Sequence, residues 1–77
     1  MSVYPNPAAD YINIEHSAID KVDVIEIYNA TGKVVRTGIG AEEHRIELDG
    51  FENGMYILST RYVDGNVSTT RFIVQQR

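Results

Sequence analysis

Cysteine is absent from all 77 residues. Disulfide staples and thiolate–metal sites, the usual supports of chains this short, are thereby excluded. The redox compartment stays open, because a domain without thiols needs no oxidising surroundings. Tryptophan is absent too, and only two prolines occur. No run approaches the roughly 20 apolar residues of a bilayer-crossing helix, and no basic-then-apolar leader opens the sequence. No stretch sustains a 3.6-residue apolar period, so amphipathic helices are not expected. Basic residues are the scarcer charge: seven Lys and Arg face eleven Asp and Glu, a net charge of −4. That balance argues against nucleic acid, whose binding rests on a basic patch.

What the sequence does have is short alternation broken by turn residues, the pattern of an all-β domain. "YINIE" puts Ile12 and Ile14 on one face and Tyr11, Asn13 and Glu15 on the other. "KVDVIEIYN" carries Val22 and Val24 in one phase, then Ile25 and Ile27 in the other, which predicts a bulge near Val24 or a strand buried on both faces. "KVVRTG", "HRIEL", "MYILSTRY" and "STTRFIV" follow. Val22, Ile25, Ile27, Val35, Ile46, Leu48, Tyr56, Leu58, Phe72 and Val74 are the expected core.

The turns are explicit in their chemistry. "NATGK" places Gly32 where a type I turn needs a left-handed residue, closing a hairpin between Ile27 and Val34. "VDGNV" offers Asp64-Gly65 as a two-residue primed turn. Gly54 lets the chain turn into the sixth strand, with Asn53 tolerating unusual dihedrals. Pro5 and Pro7 cannot donate to a ladder, so "YPNP" reads as a short edge strand ending in a turn. Seven strands about ten residues apart predict one small antiparallel immunoglobulin-like β-sandwich. A chain of this length buries only about 60% of its unfolded surface, so marginal to moderate stability is expected. Met1-Ser2 reads as the artificial start of a fragment, with the domain at residues 3–77 and any export signal upstream.

Candidate chemistry is thin. His16 beside Glu15, and His44 after Glu42 and Glu43, raise metal ligation, but neighbours on a strand point to opposite faces and zinc needs three or four converging ligands. Asp20, Asp23 and Glu26 lack the spacing of a calcium loop. Ser17, His16 and Asp20 are triad residue types without a pocket or an oxyanion hole. No catalytic residue, metal site or cofactor is therefore assigned. The sequons at Asn29 and Asn66 coincide with turns, where asparagine is favoured anyway. Five tyrosines admit one alternative function, an accessory carbohydrate- or protein-binding module of a secreted enzyme. Such a platform requires several coplanar rings on one face.

Charge is uneven. Residues 1–54 hold ten acids against Lys21, Lys33, Arg36 and Arg45, a balance of −6, and residues 55–77 hold Asp64 against Arg61, Arg71 and Arg77, a balance of +2. A terminal hairpin of residues 55–62 with 67–74 leaves an edge strand able to pair with a receptor strand.

In order, the pieces read "YPNPAADYINI", "VIEIYNATGKVV", "IELDGFENGMYIL" and "TTRFIVQQR". This series resembles the type A C-terminal sorting domain of the Bacteroidetes type IX (Por) secretion system, from Tyr4 to Val74. The family pattern is a YPNP opening, an I-Y-N-x-x-G-x-x-V hairpin, a G-x-Y strand and a closing K-F-(I/V) strand. Matched by position, Tyr4, Pro5, Asn6 and Pro7 are the opening, Gly32 the hairpin glycine, Gly54 and Tyr56 the G-x-Y pair, and Arg71 and Phe72 the K-F pair. Arginine replaces the frequent lysine at position 71, and the second lysine is missing unless Arg77 stands in for it.

The resemblance implies a transport address and no enzyme. Such a domain ends a larger exported cargo, crosses the periplasm folded, and directs the cargo through the outer-membrane translocon. A sortase then cuts near the N-terminal linker, here at or before Val3, and many cargos become anchored to surface lipopolysaccharide. The implied partners are translocon and sortase components and a covalently continuous upstream cargo, without nucleic acid or membrane insertion. The implied destination is the medium or the cell surface.

Overall fold

The computed structural model describes residues 2–15, 21–40 and 42–76. Seven strands follow in chain order: β1 (Ser2–Tyr4), β2 (Tyr11–Glu15), β3 (Val22–Asn29), β4 (Val34–Ile39), β5 (Arg45–Glu47), β6 (Gly54–Tyr62) and β7 (Val67–Val74). One sheet has the order β1-β2-β5 and the other β4-β3-β6-β7. All strand pairings within the sheets are antiparallel. The sandwich expected from the alternating runs is the one observed, and no α-helix occurs among the described residues. One strand departs from the antibody constant-domain layout: β4 lies beside β3 rather than beside β5.

The inner faces meet in one core. Ile12 and Ile14 of β2 and Ile46 of β5 pack against Ile25 and Ile27 of β3, Leu58 of β6 and Phe72 and Val74 of β7. Burying each such side chain stabilises the fold by about 1.5–3 kcal/mol. The phase slip in the third run is a bulge: pairing advances from Val22 to Val24 on β3 while it advances only from Tyr62 to Arg61 on β6. The extra residue brings Val22 and Ile25, three apart in sequence, to the same inner face.

Two expectations need correction. Val35 is 41% exposed rather than core. Ile27 pairs with Arg36 and Tyr28 with Val34, so Val35 is a bulged residue with no partner, and a second slip separates Arg36 from Ile39. Each bulge reverses the pleat, and Ile39 becomes the inward residue of β4. The second correction concerns the last hairpin. No non-glycine residue among the described ones has positive φ, so Asp64 cannot form a primed turn. Gly65 (φ +92) instead follows a type I turn, donating its N–H to Tyr62 O at 2.9 Å while Tyr62 N–H donates to Asn66 O at 2.8 Å. The first hairpin repeats this geometry as expected, with Gly32 at φ +88 and Asn29 N–H donating to Lys33 O.

Candidate functional site

Register places every motif segment at one end of the sandwich. Asn29, just before the Gly32 turn, pairs with Tyr56. Gly54, which opens β6 at φ +150, pairs with Val74. Ala8, at the close of the opening segment, forms an isolated parallel bridge with Val74. Segments far apart in sequence therefore share one pole, whereas Ser2 pairs with Glu15 at the other.

The opening segment leaves the three-stranded sheet after Tyr4 and crosses onto the margin of β7. Tyr4–Pro5 and Asn6–Pro7 are both cis. Asn6 Oδ1 accepts from Ile73 N–H at 3.0 Å, Ala8 N–H donates to Ile73 O at 2.7 Å, and Gln75 N–H donates to Ala8 O at 2.7 Å. Asn6 thus supplies an acceptor where the edge of β7 has a free donor. Pro5 and Pro7 stay exposed around it.

A second asparagine secures the chain's other end. Asn53 Oδ1 accepts from Gln76 N–H at 2.7 Å, and Asn53 Nδ2 donates to Gln76 O at 3.1 Å. The side chain mimics one rung of a ladder. Gln76 Nε2 then donates to the carbonyls of Ala9 and Leu48, both at 2.9 Å. The "ENG" triplet suggested an unusual backbone at Asn53, but its φ is not positive and its amide performs the work. Gln76 and Ala8 went unassigned in the sequence, and the amide role of Asn53 went unread, since each acts on a partner distant along the chain.

Tyr56 of the G-x-Y pair is buried, and its hydroxyl donates to Glu52 O at 2.7 Å. A tyrosine near the start of this strand, bonding backbone a few residues upstream, is the tyrosine corner of immunoglobulin-like sandwiches. Its ring stacks on Phe72 at 5.8 Å and tilts against Phe51 at 5.1 Å. Phe72 is fully buried. Beside this cluster opens a groove of about 510 Å³ lined by residues of the first hairpin and of the β5–β6 connection. Lys33 and Arg36 face Asp49 and Glu52 across it, so neither charge dominates, and no histidine, cysteine or serine lines it.

Tyr4 is exposed and its hydroxyl donates to Glu15 Oε1 at 3.2 Å, and Arg71 is exposed on the outer face of β7. Partial burial, then the Glu15 carboxylate, raises the Tyr4 phenol above its ordinary value. Arg77, His16, Ser17 and Asp20 lie outside the described residues. Among the described residues no three His, Cys, Asp or Glu side chains converge to hold a metal.

The tyrosines form no common platform. Tyr4 and Tyr11 belong to the three-stranded sheet, Tyr28 faces outward from the other, and Tyr56 and Tyr62 pack on the core. The Arg45 guanidinium covers Tyr11 at 3.9 Å from the ring centre.

A small sandwich whose opening segment and last strand are stapled together at one pole suits a module that is held or read. Residues 2–75 match the family described as "secretion system C-terminal sorting domain". The chain belongs to this family of type IX secretion sorting domains. It is 37% identical over 76 residues to beta-agarase A of Zobellia galactanivorans, covering 95% of the chain and 13% of that protein. It is 34% identical over 76 residues to an ulvan lyase of Nonlabens ulvanivorans, covering 96% of the chain and 14% of that protein. The chain thus spans about a seventh of the curated relatives it matches. Its family is one of secretion signals, not of catalysts.

Proposed function

We propose that this domain acts as a folded address, directing an upstream cargo from the periplasm through the outer-membrane type IX translocon. A sortase then separates cargo from domain near the N-terminal linker, and the cargo reaches the medium or is anchored at the surface. The observation that carries this reading is the ordered family match over residues 2–75, whose motif segments meet at one pole. The opposite placement of Ser2 supports it, since a cargo joined there leaves that pole unobstructed. Tyr4, Pro5, Asn6, Pro7, Gly32, Gly54, Tyr56 and Phe72 form or support the pole, while Arg71 and Arg77 are the residues a partner contacts.

The test is a fluorescent protein sent to the periplasm and fused ahead of residues 3–77, expressed in a bacterium with the type IX machinery. The fusion should reach the cell surface or medium. The doubly substituted Arg71→Gln, Arg77→Gln fusion should stay folded and remain in the periplasm. Export of that variant at the parent's level would remove charge as the signal. Failure of the intact fusion in several such hosts would sink the sorting reading.

A further inference from the structure

β7 bounds the four-stranded sheet, and its outer side is only half covered. Ile73 turns both backbone groups away from β6, toward Asn6 and Ala8. Backbone groups alternate sides along a strand, and the β6–β7 register runs without a slip from Gly54↔Val74 to Arg61↔Val67. Val67, Thr69 and Arg71 therefore aim N–H and C=O outward as well, and no described residue pairs with them.

The other margins are blunted. β4 slips register twice along its length, and β1 and β5 have three residues each. Bulges and shortness are the devices that keep an edge from recruiting a strand. Residues 67–71 have neither a bulge nor a proline. Their one charge is Arg71, which has no ion pair among the described residues, whereas Arg45 reaches Glu47 at 3.0 Å and Arg61 reaches Asp23 at 3.6 Å. Arg71 stands exposed in one cross-strand row with Ile57 and Tyr28. The chain around it is acidic overall, at −4.

We propose that residues 67–71 accept a fifth strand, an extended segment of another protein carrying a carboxylate side chain opposite Arg71. The free backbone groups supply affinity, and Arg71 selects by charge. The proposal deepens the sorting reading and rests on it only for the partner's place in the export machinery. A second copy of this chain, carrying the same excess of acid, is the competing occupant.

The isotope-labelled chain is titrated with a capped eight-residue peptide of alternating valine and threonine bearing one central glutamate, and with its lysine twin. Amide exchange at Val67, Thr69 and Arg71 should slow at least tenfold, and the glutamate peptide should bind at least threefold more tightly. Arg71→Gln should erase that preference. Thr69→Pro should abolish binding with the fold intact by circular dichroism, because it deletes an outward N–H that β6 does not use. Equal binding of both peptides, or shifts centred on β4 or the three-stranded sheet, would overturn the proposal. So would protection of the same amides by rising chain concentration alone. In the export assay, a folded Thr69→Pro fusion should stay periplasmic while the parent is exported. Parent-level export of that variant overturns the edge's role and spares the sorting reading; failure of the parent fusion sinks sorting and leaves the peptide result to decide the edge.

Discussion

Tyr56→Phe separates the two roles a motif tyrosine can have. The substitution deletes only the hydroxyl that donates to Glu52 O at 2.7 Å and keeps the ring on Phe72 and Phe51. A neutral hydrogen bond contributes about 0.5–1.5 kcal/mol net. Glu52 is exposed, so water can satisfy its carbonyl once the phenol is gone, and the expected cost is about 1 kcal/mol. For a domain of this size that corresponds to a fall in Tm of about 4–8 °C. Thermal unfolding followed by circular dichroism reads it directly, and a lower denaturant midpoint at unchanged m confirms a native-state effect. Tyr56→Ala, which also removes the ring, should cost about 3–5 kcal/mol. A Tyr56→Phe melting point within about 1 °C of the parent's would refute the corner as a source of stability. Normal stability with lost export would make the hydroxyl a recognised group instead.

Gly32→Val should destabilise the domain by about 1–3 kcal/mol. Nothing lies within 4 Å of a Cβ built at Gly32, so the cost is the left-handed backbone alone, and an unchanged melting temperature would contradict the φ of +88. Tyr28 titrates above the ordinary tyrosine value, first because its hydroxyl bonds Glu26 and then because of that carboxylate's charge. The stability tied to the neutral phenol is present below about pH 10 and is lost as pH rises through the raised folded-state value. Glu26→Gln should lower the Tyr28 pKa in an NMR titration of the ring, and an unmoved value would place the cause elsewhere.

Much of the fold was legible because it is written at period two. Ile12 with Ile14, Ile25 with Ile27 and Phe72 with Val74 each face the core as their alternation predicts. Even the β3 bulge showed, since Val22 and Ile25 are apolar and three apart. Val35 did not, because "VV" fits either phase and only pairing with β3 decides which valine is skipped. The last turn failed for a similar reason: "DG" suits two loop lengths, and the length is set by which residues of β6 and β7 face each other. The pole was least legible. Asn6 binds a residue 67 positions away and Asn53 one 23 positions away, and no local pattern encodes such reach.

The parallel bridge at Ala8 has a mechanical consequence. From Ser2 the chain passes through β1 of the other sheet, and residues 6–8 then run alongside the end of β7 in the same direction, so Ser2 and Gln76 lie toward opposite poles. A pull on a cargo at the N-terminus against a tail held at the other pole thus acts along the strands, not across them. The bonds from Ala8 to Ile73 and from Gln75 to Ala8, with the side-chain bonds of Asn6 and Gln76, are loaded together in shear. They must rupture in concert, whereas bonds pulled at right angles would unzip singly. The clasp that closes the sandwich is therefore also the part that a pull along this axis loads first.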